Sequence, residues 1–240
     1  MKRNLLAICV FFLPAIQMVN AQEYQLASQV YPEFRYYPLA GEVYFKDYRQ
    51  VEGNAFLSDD WVRGDIYLTN GEVLKSVQYK MDAYLHHLLV YNDYVKRVIY
   101  LRKEFIDHFT MEEDNRTRNF RHVISDKSLR LGNKEFLMEV LMEGRITLYK
   151  LYFREILPLR TPEMPYIDEF INGETYYMEQ DNEFIVARLR RSFIFSQFPQ
   201  YKEEIKHYSR KNRLHIKNDK DFAELIRYIN TLLPLPASED

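Results

Sequence analysis

The sequence predicts an α+β fold: an antiparallel β-meander of about nine strands, curved or rolled into a half-open barrel, with C-terminal helices packed on it. Three observations carry this. From Gly64 to about Ala187, apolar and polar residues alternate with period two between tight-turn dipeptides. Tyr and Phe number 20 and 16 in 240 residues, and aromatics suit half-buried pleated surfaces. After Ala187 the apolar spacing changes to three and four, the period of a helix.

The strands follow in order. Gly64 introduces Asp65 to Thr69, and Asn70-Gly71 is a two-residue hairpin signal that needs φ > 0 at both positions. In the next strand Val77, Tyr79 and Met81 face the core, while Ser76, Gln78, Lys80 and Asp82 face water. A loop over Ala83 to His86 precedes His87 to Tyr91, Asn92-Asp93 turns the chain, and Tyr94 to Leu101 returns. Glu104 to Thr110 and Arg118 to Ile124 are extended; Lys134 to Met142 and Arg145 to Phe153 flank a turn at Glu143-Gly144. Leu157 to Pro165, with three prolines, reads as a connection. Thr175 to Glu179, Asp181-Asn182 and Glu183 to Ala187 form a last hairpin. Leu189, Phe193, Ile194 and Phe198 suit a helical spacing, and the same aromatic run suits a strand equally. Pro199 opens the next helix, with Tyr201, Ile205 and Tyr208 on one face and its end at Asn212. Arg213 to Lys217 is a short extended link. Asn218 caps the final helix, whose stripe is Phe222, Leu225, Ile226, Ile229 and Leu233, and Pro234-Leu235-Pro236 stops it.

The ends bound the address. Lys2 and Arg3, the apolar run Leu5 to Ile16 and Val19-Asn20-Ala21 read as a signal peptide over 1–21, cleaved after Ala21. The apolar run is shorter than the roughly 20 residues a membrane helix needs, and no later segment is long and apolar enough to span. Cys9 lies inside that run, away from a lipobox position, and is the single cysteine. The mature chain then has none, which excludes disulfides, thiol catalysis and thiolate metal sites. The expected organisation is an N-terminal extension over 22–40 and one α+β domain over 41–234, β-rich over 41–187 and helical over 188–234. A tail over 235–240 completes it. The expected location is the periplasm or exterior, as a soluble protein without a transmembrane segment.

Asp60-Trp61-Val62-Arg63-Gly64, then Asn70-Gly71 and Val77-Gln78-Tyr79-Lys80, resemble a pattern of secreted β-rich proteins of Bacteroidota-type bacteria. In that group a W-x-x-G-x-V strand meets an N-G turn and an L-R-Y-N strand. The Arg and Asn of the last element are replaced here. Val140 to Gly144 with Leu148-Tyr149-Lys150, and the helix from Asp221 to Asn230, are similar to later elements of the group. The resemblance implies export and a β-rich architecture, and no activity.

Glycine numbers only 7 in 240, against an average near 7%. There is no G-x-G-x-x-G, no P-loop and no G-x-S-x-G, which counts against nucleotide enzymes and common serine hydrolases. His86-His87 are adjacent, so on a strand they point to opposite faces and ligate one metal only if the loop bends sharply. Asp107-His108 and His122 form an acid–base pair only if their strands are neighbours. No nucleophile or cofactor grip stands beside them, so neither a cofactor nor an enzymatic activity is expected. Charge is the clearest binding signal. Phe184 to Lys220 holds ten basic residues against three acidic ones, a local balance of +7, in a chain of −2 that becomes −4 once Lys2 and Arg3 leave. Arg188, Arg190, Arg191, Lys202, Lys206, Arg210, Lys211 and Arg213 are the candidate contacts for an anionic surface. The function expected is a structural or interaction module of the bacterial envelope, with an envelope protein or anionic surface as partner and no nucleic acid. The alternative is a carrier of an apolar ligand such as a lipid in a sheet cavity; an envelope hydrolase ranks below both.

Overall fold

A computed structural model describes residues 40–43, 51–92, 96–113, 115–159 and 167–234. The expected signal peptide, the expected tail and all but the end of the expected N-terminal extension lie outside them. The strands are β1 (Ala40–Val43), β2 (Val51–Glu52), β3 (Val62–Leu68), β4 (Val73–Asp82), β5 (His87–Asn92), β6 (Arg97–Leu101), β7 (Ile106–Glu113), β8 (Arg116–Ile124), β9 (Glu135–Met142), β10 (Ile146–Leu159), β11 (Ile167–Gln180) and β12 (Glu183–Ala187). The helices are α1 (Arg191–Gln197), α2 (Lys202–Lys211) and α3 (Asp219–Leu232).

The fold is α+β, with one large and mostly antiparallel open sheet. It has twelve strands among the described residues, where about nine were expected. Its order is β1-β6-β5-β4-β3-β7-β8-β9-β10-β11-β12, and β2 pairs β11 in parallel. Two meanders therefore share β3, rather than one running through. Leu101 and Ile106 are joined by four residues, which reach about 17 Å at most. In a flat sheet β6 and β7 would stand about 19 Å apart, four intervals of about 4.8 Å. The sheet must curl. Its concave face is filled accordingly: Ile66, Leu88, Leu101, Ile106, Phe109 and Phe120 share one cluster with Tyr79 and Met81. Phe109 stacks on Phe120 at 4.9 Å, and Tyr79 meets Phe109 edge-on.

The predicted face of β4 holds: Tyr79 and Met81 are buried and Val77 packs against the same cluster. Asp82 departs from it, being fully buried, because its carboxylate accepts from the Tyr84 and Leu85 amides at 2.8 Å and caps the turn. The Asn70-Gly71 hairpin also differs. Gly71 alone has positive φ there, and the Leu68–Glu72 bond encloses three residues, a turn closed by a left-handed glycine. At the last hairpin both Asp181 and Asn182 have positive φ, as its two-residue turn requires. The expected connection at Leu157 is instead strand: Pro158 pairs Asp168 within β10. The β9 register ends at Lys150, so the proline lies on a stretch without a β9 partner and its missing N–H breaks no ladder bond. Arg154 on that stretch donates its amide to Ala83 O at 3.1 Å, bringing the β4–β5 turn across. The expected extended link at Arg213 is a pair of turns that buries Leu214 and Ile216.

The helices cover the other half of the concave face. Leu148, Tyr176 and Met178 cluster with Ile194, Ile205, Phe222, Leu225, Ile226 and Ile229. Asn218 Oδ1 accepts from Asp221 N at 2.8 Å, the predicted cap of α3. Near its other end Asn230 holds the β9–β10 hairpin, accepting from Ile146 N at 2.8 Å and donating to Ile146 O at 2.9 Å. Between the two apolar halves runs a polar seam. Arg118 donates to both Glu139 oxygens, at 3.1 and 3.0 Å, and to Glu113 at 2.9 Å. Tyr152 donates to Glu139 at 2.7 Å. Lys150 donates to Asp219 and Glu174, each at 2.8 Å, tying α3 to β10. Burial disfavours the Lys150 ammonium, but these two carboxylates outweigh it and hold its pKa above the ordinary value.

Candidate functional site

The basic residues found in the sequence gather just before and at the start of α1, on α2 and in the turn after α2. Arg188, Arg190, Arg191, Lys202, Arg210, Lys211 and Arg213 are all exposed. Lys202, Lys206 and Arg210 stand four apart on one flank of α2, beside the flank that buries Ile205 and Ser209. Arg191 donates to Leu214 O at 2.6 Å, so the start of α1 lies against the Arg213–His215 turn. Lys206 pairs with Glu203 at 3.4 Å. Among the described residues, the other seven cations make no ion pair. The fold thus joins two basic segments, about twenty residues apart in sequence, and leaves their charge uncompensated.

The histidines are placed differently from one another. His86 sits in the β4–β5 turn with φ +55, its ring edge-on to Phe136 at 4.9 Å, whereas His87 stacks on Tyr100 at 4.6 Å. The two rings have different neighbours. His86 is 4% exposed, its ring hydrogen-bonds the Leu137 backbone, and its Nδ1 has no hydrogen-bond partner among the described residues. Burial, with Lys103 and His87 beside it, pushes its pKa down to about 3. The unfolded imidazole titrates near 6.5. The unfolded chain therefore binds the extra proton first, and stability falls with pH below about 6.5, by roughly 1 kcal/mol per unit. Urea unfolding at pH 7 and pH 4.5 is expected to show this slope. His86→Asn, which tolerates the left-handed backbone, should flatten it; an unchanged slope in that variant would assign the acid sensitivity elsewhere.

His108 and His122 are on neighbouring strands, as the acid–base pair required, yet the structure does not bring them together. His108 lies opposite Arg121, so His122 is one residue out of register and faces the other side of the sheet. His122 contacts Glu135 at 2.6 Å. His108 Nδ1 donates to Asp107 at 2.7 Å, and its ring stacks on Tyr67 at 4.1 Å.

His108 belongs instead to a polar cleft that the sequence did not reveal. The β8–β9 ladder ends at Phe120–Glu139, and a bulge at Leu141 turns β9 away. The strands part there into a cleft of about 600 Å³, lined by His108, Asn119, Arg121, Leu141, Glu143 and Arg227 among others. Arg121 donates to Glu143 at 2.6 Å, and Arg227 of α3 pairs with Glu224. Burial opposes the Arg121 charge, but the Glu143 carboxylate outweighs it and raises its pKa. Arg121 lies 3.4 Å from the Tyr149 hydroxyl, which donates to Glu179 at 2.8 Å. Burial and Glu179 push Tyr149 up to about 12. A second cleft, of about 340 Å³, lies between the β11–β12 turn and the end of α1, with Ile146, Met178, Ile185 and Phe198 on its walls.

Among the described residues, no three His, Cys, Asp or Glu side chains converge as a metal centre would require. None of the described helices is long and apolar enough to cross a membrane. No protein-family model matches the chain, and no curated protein or solved structure matches it.

Proposed function

We propose that this protein is a non-enzymatic interaction module exported to the bacterial envelope, where its C-terminal basic surface docks on an anionic surface. One observation carries the reading: seven exposed cations, just before and at the start of α1, on α2 and in the following turn, lack carboxylate partners among the described residues. Such charge is kept available for an external anion. The filled concave face supports the same reading, because Tyr79, Phe109 and Phe120 satisfy one another without a ligand.

Cosedimentation with vesicles tests it. The protein is expected to bind vesicles of equal phosphatidylglycerol and phosphatidylcholine, to ignore pure phosphatidylcholine, and to release as salt rises from about 0.05 to about 0.5 M. A variant carrying Gln at Arg188, Arg190, Lys202, Arg210 and Lys211 should lose at least about 100-fold in affinity, at about 1 kcal/mol per basic residue. Equal binding by wild type and variant would refute the basic surface. The second reading, an apolar-ligand carrier, rests on the 340 Å³ cleft and its Ile146, Met178, Ile185 and Phe198 walls. A lipid retained in native mass spectrometry, and lost on Ile185→Asp, would favour it instead.

A further inference from the structure

The cleft at the parting of β8 and β9 has a chemistry distinct from the basic surface. Its cationic and imidazole groups are already coupled to carboxylates: Arg121 to Glu143, Arg227 to Glu224 and His108 to Asp107. Three carboxylates against two guanidiniums leave no excess positive charge for a phosphate or another multiply charged anion. What these couples present is donors beside acceptors. A hydroxyl group needs that arrangement, because it donates one hydrogen bond and accepts others. Asn119 adds an amide with both functions. The ladder ends at Phe120–Glu139, so Asn119 and Leu141 line the cleft at backbone positions that pair with no strand across it. His108 is held by Asp107 on one side and by the parallel Tyr67 ring, at an interplanar angle of 11°, which gives the wall a fixed flat element. A volume of about 600 Å³ falls in the range of small-molecule sites.

We propose that this cleft binds a carbohydrate, one hydroxyl-rich ring that is neutral or carries a single carboxylate. The guanidiniums of Arg121 and Arg227 take the ring hydroxyls or that carboxylate, while Glu143 and Asn119 accept from the hydroxyls. The site is independent of the basic surface on α1 and α2, so the module has two contacts: one with charge and one with sugar.

Amide NMR of the full chain, titrated separately with glucose, galactose, N-acetylglucosamine, glucuronate, galacturonate and inorganic phosphate, tests this. At least one sugar is expected to give saturable shifts at Asn119, Arg121 and Leu141 in the millimolar range. Arg121→Met and Arg227→Met should each weaken that sugar about tenfold or more, the loss of roughly one charged hydrogen bond. Arg227 is 61% exposed at its side chain, so its variant keeps the fold if Arg121→Met does not. The proposal fails if none of the five sugars shifts these amides. It fails also if phosphate shifts them at lower concentration than every sugar, or if Arg227→Met binds sugar as wild type does. Vesicle binding by the same variants is expected to stay unchanged, which separates this site from the basic surface.

Discussion

Gly64→Ala is expected to cost about 4 kcal/mol or more, enough to leave the chain largely unfolded. A Cβ at this position would stand 1.7 Å from Thr110 O and 2.6 Å from its carbonyl carbon. The obstacle is backbone, so no rotamer change relieves it. β3 and β7 would have to separate where Thr110 already accepts the Tyr79 hydroxyl at 2.6 Å on its carbonyl and Asp65 N at 2.8 Å on its side chain. β3 is also the strand both meanders share, so displacement is transmitted to each. Gly71→Ala is the comparison: φ is +87 but a Cβ meets nothing within 4 Å among the described residues, and the expected cost is only about 1 kcal/mol. Urea unfolding monitored by circular dichroism measures both. Equal, small losses would show that β3 and β7 can part without penalty.

Arg118→Met is expected to cost about 3–5 kcal/mol, the penalty for leaving a buried carboxylate without its counter-charge. Glu139 is only 8% exposed and, among the described residues, would retain just the Tyr152 hydroxyl. Arg118 also lies over the Phe120 and Tyr152 rings at 5.1 and 5.0 Å, so its removal opens the seam between the two apolar halves. Replacing both partners separates charge from packing. Arg118→Met with Glu139→Gln removes the orphaned charge and keeps an acceptor for Tyr152, and most of the lost stability should return. A double variant no more stable than Arg118→Met would mean that packing, rather than the ion pair, holds this seam.

Much of the fold was legible in the sequence because its signals are local. The β4 face, the Asp181-Asn182 turn, the Asn218 cap and the apolar stripe of α3 depend on a few consecutive residues. The basic residues were legible for the same reason, since charge along a segment is visible without knowing its neighbours. The strand at Pro158 was hidden because a proline excludes a strand only where its N–H would be needed, and whether β9 runs alongside is a tertiary fact.

Local residue patterns suffice for the strand and helix periods, the Asp181-Asn182 turn, the Asn218 cap and the charge imbalance of the C-terminal third. Strand order, and what that order assembles, depends on contacts between segments far apart in the chain. Pairing β7 with β3 bends the sheet so that its own aromatics fill it. The Leu141 bulge parts β8 from β9, and Arg227 reaches that gap from a helix more than eighty residues later. Local pattern fixes which face a residue presents. It does not fix which strand comes to lie beside it, because that choice is made by the loop closures and the shared core of the whole chain.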